Sequence, residues 1–479
     1  MTTQSTDSGA QQPRLDTGTV NVIRKPELRR AVRGTFVGNV MEWYDVGAFG
    51  YLIVTLGPIF LPDADPSTQV IFLLGTFAAT YVFRPLGGLF FGWLGDRIGR
   101  KRVLFLTLTL VAAATFLIGL LPDYGMIGLA APLLLVLLKV LQGFSAGGEF
   151  TGALTYIAES APDRKRGFYA AFLDGGSYLG FALGAVLVTA LQVGFGQEAL
   201  EAGLWRVPFL LAGPLGVIAI YIRLKLAESP QFTAELAAAG VGEAGREHLR
   251  VRPLQVLLEN WRGIVMVIVL VAAANSAGYA FTSYMPTYLA TVEEYDAVQS
   301  NLLTVPLLLL MACSMPFVGM LSDRVGRRPV LFIASAWVIL LSIPAFLLIG
   351  NGSTLGVLLG LALVGAPVAL YMGTLASTYP ALFPTRSRST SLGVAYNISI
   401  AVFGGTAPLV IDSLIRWSGD DLAAAYYLIG MSVAGLLAVW FLAESARKPL
   451  RGSEPNVETE LEAHQIHKGR LAVQRSSRA

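Results

Sequence analysis

Twelve apolar runs, each near the roughly 20 residues that cross a bilayer as a helix, dominate this chain. They fall at approximately 34–60, 69–94, 103–121, 130–158, 168–194, 206–226, 262–290, 299–322, 329–350, 353–380, 389–415 and 422–443. Lipid offers no partner for an exposed backbone amide, so only helices or closed barrels span it. Runs of this length predict helices. With 54% hydrophobic and 14% charged residues, the composition lies outside the range of soluble globular proteins. The expected fold is an all-α membrane protein of twelve transmembrane helices.

A polar segment, 227–261, separates the first six runs from the last six and predicts two six-helix bundles, 34–226 and 262–443. A tail, 1–33, precedes them and another, 444–479, follows, both reading as disordered apart from a short helix in the second. Of the 35 Lys and Arg residues, 31 fall in the tails, the central segment and alternate short loops. By the positive-inside rule, both termini face the cytoplasm. No cleavable signal peptide is visible.

One string occurs twice. GWLGDRIGRKR, 92–102, and GMLSDRVGRR, 319–328, align at a constant offset of 227 residues and so mark two related halves. Gly92, Asp96, Arg97, Gly99 and Arg100, with Asp323, Arg324, Gly326 and Arg327, are the candidate gating residues. Glycine allows close packing and tight turns, Asp can cap a helix start, and Arg can meet helix C-termini. A plain positive-inside anchor would explain the charge but neither the glycines nor the duplication.

Charged groups inside a bilayer cost about 2.5 to 3.5 kcal/mol on insertion scales and call for a partner or a function. The first half holds Glu42, Asp45, Arg84, Lys139, Glu149 and Asp174 within its runs; the second half holds none near the midplane, its Asp412 lying close to the outer end of 389–415. At about 1.5 Å rise per residue, Glu42, Asp45, Arg84 and Glu149 share a layer roughly 12 to 17 Å deep. Glu149, then Asp45 and Glu42, are the proton-coupling candidates; the alternative is a static pair of Glu42 or Asp45 with Arg84. Asp174 reads as nearer the cytoplasmic edge and structural. Trp43, Tyr44, Asn275, Tyr279, Tyr371 and Asn397 are candidate substrate contacts, since aromatic rings attract ammonium groups. Arg84, Lys139 and Gln142 join them, the two bases for a carboxylate.

The loop string resembles the signature of the major facilitator superfamily. GNVMEWYD, FRPLGGLFFGWLGDRIGRK, LQGFSAGGE, DRKRGFY and LWRVPF narrow the likeness to its metabolite:proton symporter family. DADPSTQ, APDRKRGFYAAFLDGGS and STYPALFPTR are similar to that family's osmoregulatory proline/betaine transporters. The resemblance implies proton symport of zwitterionic osmolytes such as proline and glycine betaine, raised by high osmolality, in the cell inner membrane. The chain departs from the pattern at Lys139, Pro380 and Ala381, and its C-terminal tail has too few heptads for a clear coiled coil.

Rival readings are a carboxylate importer of the same family, for citrate, oxoglutarate or aromatic acids, a multidrug/proton antiporter, and a membrane sensor that transports nothing. Three intramembrane acids against two bases in helices 1, 2 and 4 weigh against a di- or tricarboxylate. The one cysteine, Cys313, and three histidines, His248, His464 and His467, form no metal or disulfide pattern. The expected partners are a small osmolyte or organic acid, protons and membrane lipids, with no nucleic acid. No enzyme motif is present, and no cofactor is expected beyond the proton gradient as energy source.

Overall fold

Polar backbone groups in an apolar chain pair within their own helix, and the chain accordingly folds as helices packed side by side. The computed structural model describes residues 20–98, 100–147, 149–224 and 257–476. A short strand, β1 (Asn21–Val22), leads into α1 (Lys25–Phe60). Then come α2 (Pro66–Phe91, running on to Ile98), α3 (Arg100–Gly119) and α4 (Ala130–Ser145, continuing as Glu149–Ser160). The first half ends with α5 (Arg166–Phe195) and α6 (Arg206–Leu224). The second half contains α7 (Trp261–Thr291), α8 (Ala297–Val325), α9 (Arg327–Ile349), α10 (Thr354–Leu382), α11 (Ser387–Ser418) and α12 (Ala423–Phe441). After it come β2 (Asn456–Val457) and α13 (Glu460–Ser476).

Among the described residues ten helices are long and apolar enough to cross a membrane, and Phe105–Gly119 and Arg206–Ile218 are shorter apolar helices. Together they coincide with the twelve expected runs. Most of the segment expected as linker, 227–256, lies outside the described residues.

Helices α1 and α5 pack closely because one edge of α5 is glycine. A Cβ on Gly176, Gly180 or Gly184 would press on the carbonyls of Phe36, Val40 or Tyr44, one turn apart along α1. Small residues at this spacing bring backbones together in lipid, where packing rather than water exclusion drives association. Where α5 crosses α8, Gly167 and Gly319 face each other's carbonyls. Both α7 and α11 carry a widened turn, Ala280–Tyr284 and Ile400–Gly404, of the kind found beside functional sites.

The halves touch at both ends of the helices. At the end bearing the two tails, Asp323 of α8 accepts from the amides of Gly167 (2.8 Å) and Phe168 (2.9 Å), which open α5. That places a carboxylate on the positive pole of a helix in the other half. Arg388 of α11 pairs there with Glu159 of α4. At the opposite end Tyr51 donates to Thr304 (3.0 Å), Asn301 to Gln192 (2.6 Å), and Arg416 to Ser67. The conformer is closed on both sides.

The C-terminal tail is ordered over residues 442–476, contrary to the sequence expectation. β2 pairs in parallel with β1, and Asn456 bonds Asp163 and the carbonyl of Glu159. Lys165 meets Glu458 at 2.8 Å and Arg164 meets Glu462 at 3.2 Å. Val20, Val457 and Ala463 form a small core beneath. The tail of the second half is thereby strapped to the first. Disorder was expected because the segment's composition is polar; its partners come from the 159–166 corner, far away in sequence.

Candidate functional site

Between the halves, about midway along the helices, lies a small cavity of about 20 Å³, roughly the room of one water molecule. Two helices supply most of its wall in the same register. Asp174, Ser177, Tyr178 and Phe181 come from α5, and Asn275, Gly278, Tyr279 and Thr282 from α7. Both sets follow the i, i+3, i+4, i+7 spacing that puts side chains on one helix face. Trp43 of α1, Phe150 of α4, Met372 of α10 and Tyr396 of α11 complete the wall.

The wall is mostly aromatic. Trp43 lies 5.4 Å from Phe181, 6.2 Å from Phe150 and 6.4 Å from Tyr279, centroid to centroid, and Phe150 stacks on Tyr396 at 4.8 Å. Such a lining offers ring faces to a cation and excludes water. Two buried donors in it, Trp43 Nε1 and the Tyr279 hydroxyl, have no hydrogen-bond partner among the described residues. Buried donors are seldom left so.

Of the expected substrate contacts, the cavity gathers Trp43, Asn275 and Tyr279. Arg84 stands behind the wall, 5.2 Å from the Trp43 ring, 4.9 Å from Tyr81 and 4.0 Å from Glu42. Trp43 is thus the layer between that cation and the cavity. Lys139 and Gln142 lie within the first bundle: Gln142 donates to Asp45 and to Thr115 (2.8 Å) and accepts from Lys139 (3.0 Å), while Lys139 sits over Phe49. Tyr44 donates to the carbonyl of Pro208, and Tyr371 to Ser335 inside the second bundle. Asn397 bridges the halves by donating to the carbonyl of Gly147 (2.6 Å).

The proton-coupling candidates are likewise divided. Asp45 belongs to the Gln142 network and Glu42 to the Arg84 pair, both buried. The side chain of Glu149 lies outside the described residues. Sequence reasoning missed Asp174 as a wall residue, along with Phe150, Ser177, Tyr178, Phe181, Gly278, Thr282, Met372 and Tyr396. The shared stripes on α5 and α7 were the available signal.

Among the gating candidates, Asp323 makes the cross-bundle contact already described. Arg327, fully buried, donates to the carbonyl of Ser377 (2.8 Å) and to Ser445. Gly326 takes φ +113°, a conformation that favours glycine, and opens α9. Glu444 then accepts from the amides of Arg327, Arg328 and Ala446. Burial raises the Glu444 carboxyl, but these amides outweigh it and hold the group below the ordinary range. Arg324 offers its carbonyl to Arg447 (2.7 Å). Gly92 lies in the helix of α2; its surroundings, the side chains of Asp96, Arg97 and Arg100, and Gly99 itself fall outside the described residues.

Two helical halves that meet around a central cavity, with separate contacts between them at each end, define a multi-pass membrane transporter. The profile described as Major Facilitator Superfamily matches residues 36–408, and the chain belongs to that family. It is 46% identical to the ectoine/proline transporter ProP of Corynebacterium glutamicum, over 95% of this chain and 92% of that one. It is 40% identical to the proline/betaine transporter of Escherichia coli K12, over 93% and 90%. The solved structure of the E. coli xylose transporter XylE in a partially occluded inward-open conformation superposes with a TM-score of 0.68 at 18% identity, covering 88% of this chain and 99% of that one.

Proposed function

We propose that this protein is a proton-coupled symporter that imports small zwitterionic osmolytes, such as proline, glycine betaine and ectoine, by alternating access through the central cavity. The observation that carries this reading is the aromatic wall with its two unpartnered donors, in a chain 40–46% identical to proline, betaine and ectoine transporters. Rings attract an ammonium group, and unpartnered donors suit a carboxylate. The cavity has room for about one water molecule, so the bundles 34–226 and 262–443 part to admit a substrate. The Lys and Arg bias supports a cytoplasmic tail end of the helices, with the protein in the inner membrane. Glu149, Asp45 and Glu42 carry the coupling proton, and the residues of the two repeated loops act as cytoplasmic latches.

The test is uptake of radiolabelled proline, betaine and citrate into proteoliposomes with an imposed inward proton gradient, at two osmolalities. Accumulation of proline and betaine that collapses with the gradient is expected, greater at the higher osmolality. Accumulation of citrate alone would overturn the substrate class, and accumulation indifferent to the gradient would overturn the coupling.

A further inference from the structure

Asp174 occupies an unusual position in the cavity. It is more than nine-tenths buried and lines the wall. Among the described residues no cation lies within ion-pair distance of it and no donor hydrogen-bonds it. The other described intramembrane acids differ: Asp45 has Gln142, Glu42 has Arg84, and Asp412 has Arg416 and Tyr284. A buried carboxylate without a partner is costly, and within a membrane such a group marks a ligand pathway. Asp174 and Tyr178 are neighbours on α5, whereas Phe181, seven residues or about 10 Å further along that helix, lies 5.4 Å from the donor-bearing Trp43, which has Arg84 behind it. The cavity is therefore polarised, with an acceptor on α5 and donors backed by a guanidinium on the α1 side.

We propose that Asp174 is the specificity-determining residue that receives the positively charged nitrogen of the substrate, leaving the substrate carboxylate to Trp43 Nε1 and Tyr279. This inference rests on the osmolyte reading of the same cavity. It gives the site a direction: one formal charge faces one opposite charge, with aromatic faces covering the methyl or methylene groups between. A quaternary ammonium, with no N–H to donate, is held by charge and ring faces together. A di- or tricarboxylate has no group for Asp174 and is repelled by it.

The test pairs a charge on the ligand with a charge on the protein. Glycine betaine and 3,3-dimethylbutanoate share a shape and a carboxylate, but a carbon replaces the ammonium nitrogen in the second. Their affinities are measured on purified wild-type protein, Asp174→Asn and Asp174→Glu by ligand-induced thermal stabilisation, and by inhibition of proline uptake in proteoliposomes. Wild type should prefer betaine by at least about tenfold, the size of a charge-assisted contact; Asp174→Asn should lose most of that preference, and Asp174→Glu should keep much of it. Equal loss of both ligands in Asp174→Asn would mark a structural role and overturn the proposal. So would an unchanged preference, or unchanged affinities with loss of gradient-driven accumulation alone, which would make Asp174 a proton carrier. Should Asp174→Asn fail to fold, a wild type that binds both ligands equally overturns it as well. If wild type accumulates neither proline nor betaine, the osmolyte reading itself falls; if it does but the charges show no coupling, only the assignment of Asp174 falls.

Discussion

At Gly278 a single methyl group would reach the cavity: a Cβ there would lie 2.7 Å from the Tyr178 hydroxyl and 3.1 Å from Met372 Cε. Both neighbours are side-chain ends that can shift, so Gly278→Ala should fold. It should raise the KM for uptake severalfold, more for the bulky betaine head group than for proline, as read from uptake kinetics; equal KM values for wild type and variant would count against the cavity as the transport site. Arg84→Ala is predicted to act differently. It strips the guanidinium from Glu42 and leaves a buried acid, a kind of loss that costs about 3 to 5 kcal/mol, and thermal unfolding in detergent would report it. The Glu42–Arg84 pairing was legible from depth counting along two helices. Asp174 was misplaced by the same method. α5 begins at Arg166, so Asp174 lies about 12 Å in, and its spacing to Ser177, Tyr178 and Phe181 was the better guide.

Helices α5 and α8 meet at the tail end, where the Asp323 carboxylate accepts from two amides that begin α5, the contact proposed above as a latch. Asp323→Asn keeps the shape and loses the charge, worth about 0.3 to 2 kcal/mol at a helix N-terminus. Turnover should fall while equilibrium substrate affinity stays put, measured as uptake rate against ligand-induced stabilisation. A variant with altered affinity and normal turnover would show that Asp323 is no latch. Glu444 performs the same service for α9 within the second half. Its carboxyl is held below its ordinary value, so its contribution is complete above about pH 4.5 and is lost as pH falls through the depressed folded value. The stability difference between wild type and Glu444→Gln should therefore shrink on acidification below that point. The duplicated loop string pointed to this end of the helices, where Asp323 meets the start of α5. The partners were not readable, because Gly167 lies 156 residues from Asp323, and Glu444 117 and 116 residues from Arg327 and Arg328.

Over the whole molecule, the parallel β1–β2 pair, Asn456 and two ion pairs bind the end of the chain to the 159–166 corner. The ion pairs are partly exposed, worth at most about 1 kcal/mol each, and weaken as salt shortens the Debye length. In a Cys313→Ser background, a cysteine at the buried Ala463 should react faster with a water-soluble maleimide as ionic strength rises, and faster still with Glu458→Lys and Glu462→Lys. A labelling rate indifferent to both would mean the strap stays shut. Two bundles of six helices could be read from hydropathy and charge bias, but the strap could not, since two-residue strands leave no periodicity. Its pairing joins Asn21 to Asn456 and Val22 to Val457. During synthesis the first strand leaves the ribosome before any helix is inserted, and its partner emerges only after the twelfth. Every earlier length of nascent chain lacks this lock, so the transporter can reach its strapped state only after its twelfth helix has been made.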